Sequence, residues 1–378
     1  MEPLVDAAWL AEHAADPDLR IIDFRWYLDA RSGRAAYDAG HIPGAVFVDL
    51  EAVTAPSGPG RHPLPATTRF EAEMRLAGVS AQSLVVVYDD AGGSIAARLW
   101  WLLRHFGHEQ VSVLDGGLQA WTGLLSTEPA QPPPGDFRAR PRRGEVVDRE
   151  AVRTRSAQTV LLDARAGERY RGESEPIDPR AGHIPGALSA FWKDNLGADG
   201  RLLPAKALRA RYRDLGVKDG RWVIVHCGSG VNACHHVLAM TVAGLQPPLL
   251  YEGSWSDWSR HPDLPAATGS IPTASVFREK APMWKATAAL SNGVCRKLPP
   301  SASLGAPAIE CTSPSSRPQR FSTSLQTAST CSGLVASSSR MSGTGSSRLA
   351  VICVIDITRP KLVNRISAPA CWACSAIA

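Results

Sequence analysis

Long hydrophobic runs are missing from this chain. A membrane span needs about 20 consecutive apolar residues, and the longest candidate, Leu349 to Ile357, is shorter and contains Asp356. A basic head followed by an apolar stretch is also missing at the start. Met1-Glu2-Pro3-Leu4-Val5-Asp6 is soon followed by Glu12 and Asp16, so the opening does not read as a secretory signal. A cytoplasmic protein with no membrane partner is the expectation. Cysteine is scarce in the first 269 residues, which hold only Cys227 and Cys234. The other six of the eight (Cys295, Cys311, Cys331, Cys353, Cys371, Cys374) lie further on. Two cysteines make no disulfide framework and fit a reducing compartment. At 378 residues, 44% hydrophobic and 20% charged, the chain is neither bulk-disordered nor collagenous, and its length suits two or three domains.

Acidic residues are few at one end. From Ser270 to Ala378 there are 12 basic and 3 acidic residues, and the 41 basic and 36 acidic residues of the whole chain then leave 29 and 33 for the rest. The positive net charge therefore belongs to the C-terminal segment, and it is no evidence for a nucleic-acid partner of the mildly acidic body. Residues 301–350 contain 15 serines with neither strand alternation nor a sustained helical face. Residues 270–378 read as a low-complexity, disordered tail, with the composition of out-of-frame or read-through coding.

Within the body, four sequence blocks occur twice, in the same order, at offsets of 137–142 residues. Leu19-Arg20-Ile21-Ile22-Asp23 matches Val160-Leu161-Leu162-Asp163, and Gly40-His41-Ile42-Pro43-Gly44-Ala45 matches Gly182-His183-Ile184-Pro185-Gly186-Ala187. Leu84 to Asp89 matches Trp222 to Cys227, and Asp115-Gly116-Gly117 with Trp121 matches Glu252-Gly253-Ser254 with Trp258. This is a tandem duplication. Short β-branched runs ending at Asp23, Tyr88, Leu114, Leu162, His226 and Tyr251 alternate with helical patterns at Thr68–Leu76, Ser94–Phe106 and Ala205–Leu215, with Ser94 as an N-cap. The expected fold class is α/β: two tandem domains, each a mainly parallel sheet flanked by helices. The expected boundaries are residues 1–125, a Pro/Arg-rich linker at 126–145, a second domain at 146–269, and the tail.

Chemistry concentrates at one strand end. Cys227 follows the apolar run Val223-Ile224-Val225-His226, and a glycine-bearing loop, Gly228-Ser229-Gly230-Val231, leads to a helix beginning near Asn232. In a parallel sheet, ligands bind at the carboxyl ends of strands. The glycines allow successive amides to turn inward as an anion cradle, and a helix N-terminus favours a thiolate over a thiol. That combination marks Cys227 as a nucleophile rather than a packing residue. Cys234, one turn into the helix, reads as core. His235 and His236 are adjacent and cannot share a metal in the i, i+4 manner, so they read as surface or packing residues. His41 and His183 read as structural. In the first half Asp89 occupies the cysteine position, before a loop that reads as two residues longer, so that half is expected to be catalytically silent. No metal or cofactor is called for.

The two Gly-His-Ile-Pro-Gly-Ala blocks, the Cys227-to-Val231 loop and the closing Glu252-Gly253-Ser254-Trp255-Ser256-Asp257-Trp258 make residues 1–269 resemble the tandem-domain rhodanese-type sulfurtransferases, the thiosulfate and 3-mercaptopyruvate sulfurtransferase family. The resemblance implies that Cys227 takes sulfur from a small anionic donor, 3-mercaptopyruvate or thiosulfate. A persulfide then sits in the cradle of Gly228, Gly230, Val231 and Asn232. The sulfur passes to a thiol, such as thioredoxin or a small thiol, or to cyanide. It assigns donor binding to Arg169 in Glu168-Arg169-Tyr170-Arg171. The second arginine usual in the mercaptopyruvate branch is replaced by Ile177 after Glu175-Pro176, with Arg180 as the substitute. It assigns a proton relay to Ser229, His62 and Glu51. Gly228-Ser229 after the cysteine matches the mercaptopyruvate group, and Asn232 stands where threonine is usual, with an amide able to cap the helix. A cysteine phosphatase is set aside because Ala233 stands where its phosphate-binding arginine is needed. A non-enzymatic binding module is the alternative, and it requires an unreactive Cys227.

Overall fold

The computed structural model describes residues 1–270 and two short strands further on, Val294–Lys297 and Ile309–Thr312. The latter pair with each other antiparallel, Val294 opposite Thr312. The expectation of a disordered tail otherwise lies outside the described residues.

The first half contains β1 (Leu4–Val5), α1 (Ala7–His13), β2 (Leu19–Asp23), α2 (Gly33–Ala39), β3 (Val46–Phe47), α3 (Thr67–Leu76), β4 (Leu84–Tyr88), α4 (Ala96–His105), β5 (Val111–Leu114) and α5 (Gly117–Ala120). The second contains β6 (Val146–Val147), α6 (Arg149–Arg153), β7 (Val160–Asp163), α7 (Gly167–Arg171), β8 (Leu188–Ser189), a 3-10 turn (Trp192–Asn195), α8 (Ala205–Asp214), β9 (Val223–His226), α9 (Ala233–Val242), β10 (Leu249–Tyr251) and α10 (Ser254–Trp258). Each half forms one five-stranded sheet, in the orders β1-β5-β4-β2-β3 and β6-β10-β9-β7-β8, and every pairing within them is parallel. The near-continuous apolar runs of β4 and β9 suit central strands covered on both faces. In register, Asp23 lies beside Tyr88 and Asp163 beside His226, so β7 runs one residue past the end expected from sequence.

The halves are welded together. Helices α4 and α9 pack against each other, and one apolar core runs through both, including Trp100, Leu103, Leu238 and Met240. The 126–145 segment lies along the first half. The Gly135 N–H donates to Arg75 O (2.8 Å), Arg140 N–H donates to Phe106 O (2.8 Å), and Phe137 is buried edge-on to Phe70. Among the described residues no helix is long and apolar enough to cross a membrane.

Two buried ion pairs repeat the duplication. Arg25 grips Asp23 and donates to Gly40 O (2.8 Å), and Arg165 grips Asp163 and donates to Gly182 O (2.7 Å). Each pair ties a strand end to a Gly-His-Ile-Pro-Gly turn. His41 and His183 stack on Tyr37 and Tyr170 at 3.8 Å, each with Nδ1 on that tyrosine's carbonyl (2.8 Å). Burial would raise the pKa of Asp163, but Arg165 and His226 hold it down at about 2.

Helix α9 is apolar nearly all round, which suits a buried helix. It also carries His235 and His236, both fully buried and so packing rather than surface residues. His236 meets Ala190 O (2.7 Å) and Tyr212 Oη (2.8 Å), and His235 meets Gly92 O (3.3 Å). Burial pushes His235 and His226 down to about 4 and His236 to about 3, from an ordinary 6.5. The unfolded chain therefore binds protons on these rings before the folded one does. The thermal midpoint is predicted to fall as pH drops from about 6.5 towards 4. Calorimetry across that range checks it, and a flat or rising midpoint contradicts it.

Candidate active site

Cys227 follows β9 directly and is 2% exposed. Its Sγ accepts the Gly230 N–H at 3.1 Å. Gly230 is left-handed, with φ +82°, and a Cβ there would stand 2.6 Å from Glu252 O. Only glycine allows the loop to fold this tightly under the β10–α10 turn. That turn clamps the loop from the other side. Trp255 and Ser256 N–H groups donate to Cys227 O (2.9 Å) and Gly228 O (2.8 Å), and Cys227 N–H donates to Ser254 Oγ (3.1 Å). Ser254 is itself left-handed, with φ +54°, a conformation costly for a residue with a side chain and held by its surroundings.

The first half shows what such a loop binds. The Asp89 carboxylate accepts N–H bonds from Ala91 (2.9 Å), Gly93, Ile95 and Ala96 (2.8 Å each). Burial raises its pKa, and the four amide bonds pull against that rise. Helix α4 starts seven residues after Asp89 and α9 six after Cys227, so the first loop is longer by one residue, not two. The carboxylate also replaces Ser94 as the helix cap. Ile95 is the N-cap residue and makes no side-chain cap bond. Asn232 holds the same place on α9, again without a side-chain cap bond.

Two further groups converge on the Cys227 loop. Ser229 Oγ lies 2.8 Å from His62 Nδ1, and His62 Nε2 lies 3.5 Å from Glu51 Oε1. Burial, with Arg98 and Arg61 nearby, pushes His62 down to about 4, and burial, with Asp49, pushes Glu51 up. A neutral ring can accept the serine proton. The second group is a ladder of alternating charge: Asp163–Arg165 (2.6 Å), Arg165–Glu175 (3.2 Å), Glu175–Arg169 (2.6 Å), Arg169–Asp178 (3.1 Å) and Asp178–Arg61. It runs from the end of β7 to the Arg61 loop of the first half.

The rhodanese-like domain family matches this chain twice, at residues 6–124 and 148–261. The chain belongs to the tandem-domain rhodanese family of sulfurtransferases. A Pseudomonas aeruginosa protein named "Probable 3-mercaptopyruvate sulfurtransferase" is 45% identical over 280 residues, covering 70% of this chain and 98% of that protein. The thiosulfate sulfurtransferase of Rattus norvegicus is 36% identical, over 68% of this chain and 92% of its own. The crystal structure of SseA from Escherichia coli, described as a 3-mercaptopyruvate sulfotransferase with the rhodanese fold, superposes with a TM-score of 0.61 at 37% identity, over 68% of this chain and all of that one.

In this rhodanese Cys227, Gly228, Ser229, Gly230, Val231 and Asn232 form one loop. Val231 turns its side chain into the core, and Ser229, His62 and Glu51 stand in a row. Arg169 lies at the loop mouth. Arg180 does not join them. Its guanidinium donates to four carbonyls, of Trp258, Ser259, His261 and Leu264 (2.8–3.0 Å), and so fastens the closing segment. Burial pushes Cys234 up to about 11, as suits a core thiol. Arg61, Asp178 and Arg98 carry no motif that marks them for the site, and Ser254 is marked only as part of the closing motif. Arg98 is fully buried on α4 and reaches across to the loop, donating to His62 O (3.0 Å) and Gly230 O (3.4 Å). An arginine directly before Leu99-Trp100-Trp101-Leu102-Leu103, with Arg104 directly after it, was the available signal. The Gly230→Ala change is predicted to cost about 2 kcal/mol or more, through both φ and the clash with Glu252. Urea unfolding measures it, and a loss below about 0.5 kcal/mol contradicts this account of the loop.

Proposed function

We propose that this rhodanese moves sulfur from 3-mercaptopyruvate to an acceptor through a persulfide on Cys227. The observation that carries the donor choice is the hydrogen bond between Ser229 and neutral His62, two residues from the nucleophile in one direction and in reach of Glu51 in the other. Cys227 thiolate attacks the donor's mercapto sulfur, and a sulfur–sulfur bond forms as the carbon–sulfur bond breaks. The released electron pair goes to the enolate of pyruvate, which must gain a proton. The donor's thiol proton reaches it through Ser229 and His62, whose transient positive charge Glu51 offsets. The Gly230 N–H holds the sulfur's negative charge throughout. A thiol such as thioredoxin, a small thiol, or cyanide then takes the outer sulfur and returns Cys227 to a thiolate.

Thiosulfate makes a different demand, because departing sulfite needs no proton. The two donors therefore separate the relay from the nucleophile. Cys227→Ser is predicted to abolish transfer from both. Ser229→Ala and His62→Gln are predicted to lower kcat with 3-mercaptopyruvate by about 10²-fold, with thiosulfate turnover changed by only a few-fold. Steady-state kinetics with both donors decides the matter, and equal losses on the two donors overturn the relay.

A further inference from the structure

We infer that Arg61, contributed by the first half, is the second cation of the donor site and holds the donor's oxyanion together with Arg169. This rests on the sulfur-transfer reading above. The residue after the nucleophile locates the pair: a Cβ at Gly228 would lie 2.9 Å from Arg61 Nη2 and 3.5 Å from Arg169 Nη1. Both guanidiniums thus face the mouth of the Cys227 loop, and any side chain at 228 would intrude between them and the loop.

Neither arginine is a loose surface group. Arg61 N–H donates to Ser256 Oγ (3.1 Å) and Leu64 N–H to Glu252 Oε2 (2.8 Å), so the segment carrying Arg61 is pinned to the β10–α10 turn at two points. Gly60 makes the close approach possible, since a Cβ there would sit 2.8 Å from Ser256 Oγ. Asp178, nine-tenths buried, then spaces the two heads: one carboxylate oxygen takes Arg61 Nη1 and the other takes Arg169 Nη2. A guanidinium has five N–H donors in a planar fork, so one edge can be committed to Asp178 while another nitrogen faces Gly228. Arg61 Nη2 and Arg169 Nη1 are those other nitrogens.

The fit is to an oxyanion on a small donor, either the carboxylate of 3-mercaptopyruvate or the sulfonate-like oxygens of thiosulfate. It also gives the first half a direct part in donor binding. Arg180 is committed to the carbonyls of residues 258–264, and Ile177 is apolar, so neither supplies this charge.

Two alkylating agents of like shape and unlike charge test the site without any sulfur chemistry. Iodoacetate and iodoacetamide are reacted with the full-length protein, and modification of the Cys227 peptide is followed by mass spectrometry. Arg61→Met is expected to lower the iodoacetate-to-iodoacetamide rate ratio about tenfold with the iodoacetamide rate unchanged, and Arg61→Lys to recover part of it. In parallel, Arg61→Met is expected to raise the KM of both donors about tenfold at near-constant kcat. An unchanged alkylation ratio, or a loss confined to kcat, overturns the assignment. If the wild-type protein turns over neither donor, the sulfur-transfer reading falls, and the alkylation ratio still decides whether Arg61 binds the anion.

Discussion

A single left-handed residue governs the geometry around the sulfur. Gly230 turns its N–H onto Cys227 Sγ and passes beneath Glu252 with no room for a side chain. The neighbouring contacts follow from that turn. Arg98 braces the Gly230 carbonyl from the other half, Ser229 is left facing His62, and α9 starts three residues later, at Ala233. The loop is rigid because its surroundings leave it no alternative, which is what a site must be to stabilise charge without reorganising.

Duplication supplies an internal comparison. The same strand–loop–helix unit appears twice, and in one copy four amides hold the carboxylate of Asp89, while in the other the Gly230 N–H turns towards a sulfur. The first copy is not a spectator, however. It lends His62, Glu51, Arg61 and Arg98 to the surroundings of Cys227, and the shared core between α4 and α9 fixes where those side chains arrive.

Much of this could be read in the sequence because the signals are local. β-Branched runs marked the central strands, the repeated Gly-His-Ile-Pro-Gly blocks marked the duplication, and Gly230 marked the tight turn after Cys227. The misreadings were of a different kind. Ser94 and Asn232 carry the right chemistry for caps, yet a carboxylate five residues before Ser94 caps α4, and the Asn232 side chain makes no cap bond to α9. Arg180 lies near Arg169 in sequence but points to the closing segment. Arg61 is distant from Arg169 in sequence and stands beside it, through a pairing with Asp178 that joins residues 117 apart. Side-chain direction across a domain boundary depends on packing that no local pattern records.

The central claim is that Cys227, not Cys234 or a cysteine of the tail, carries sulfur covalently. The most direct measurement is the mass of the Cys227 peptide from full-length protein incubated with 3-mercaptopyruvate and kept free of reductant. The account predicts a gain of one sulfur atom on that peptide, accompanied by pyruvate and removed by a thiol acceptor. Pyruvate release with the added sulfur on another cysteine, or no added sulfur anywhere, would contradict it.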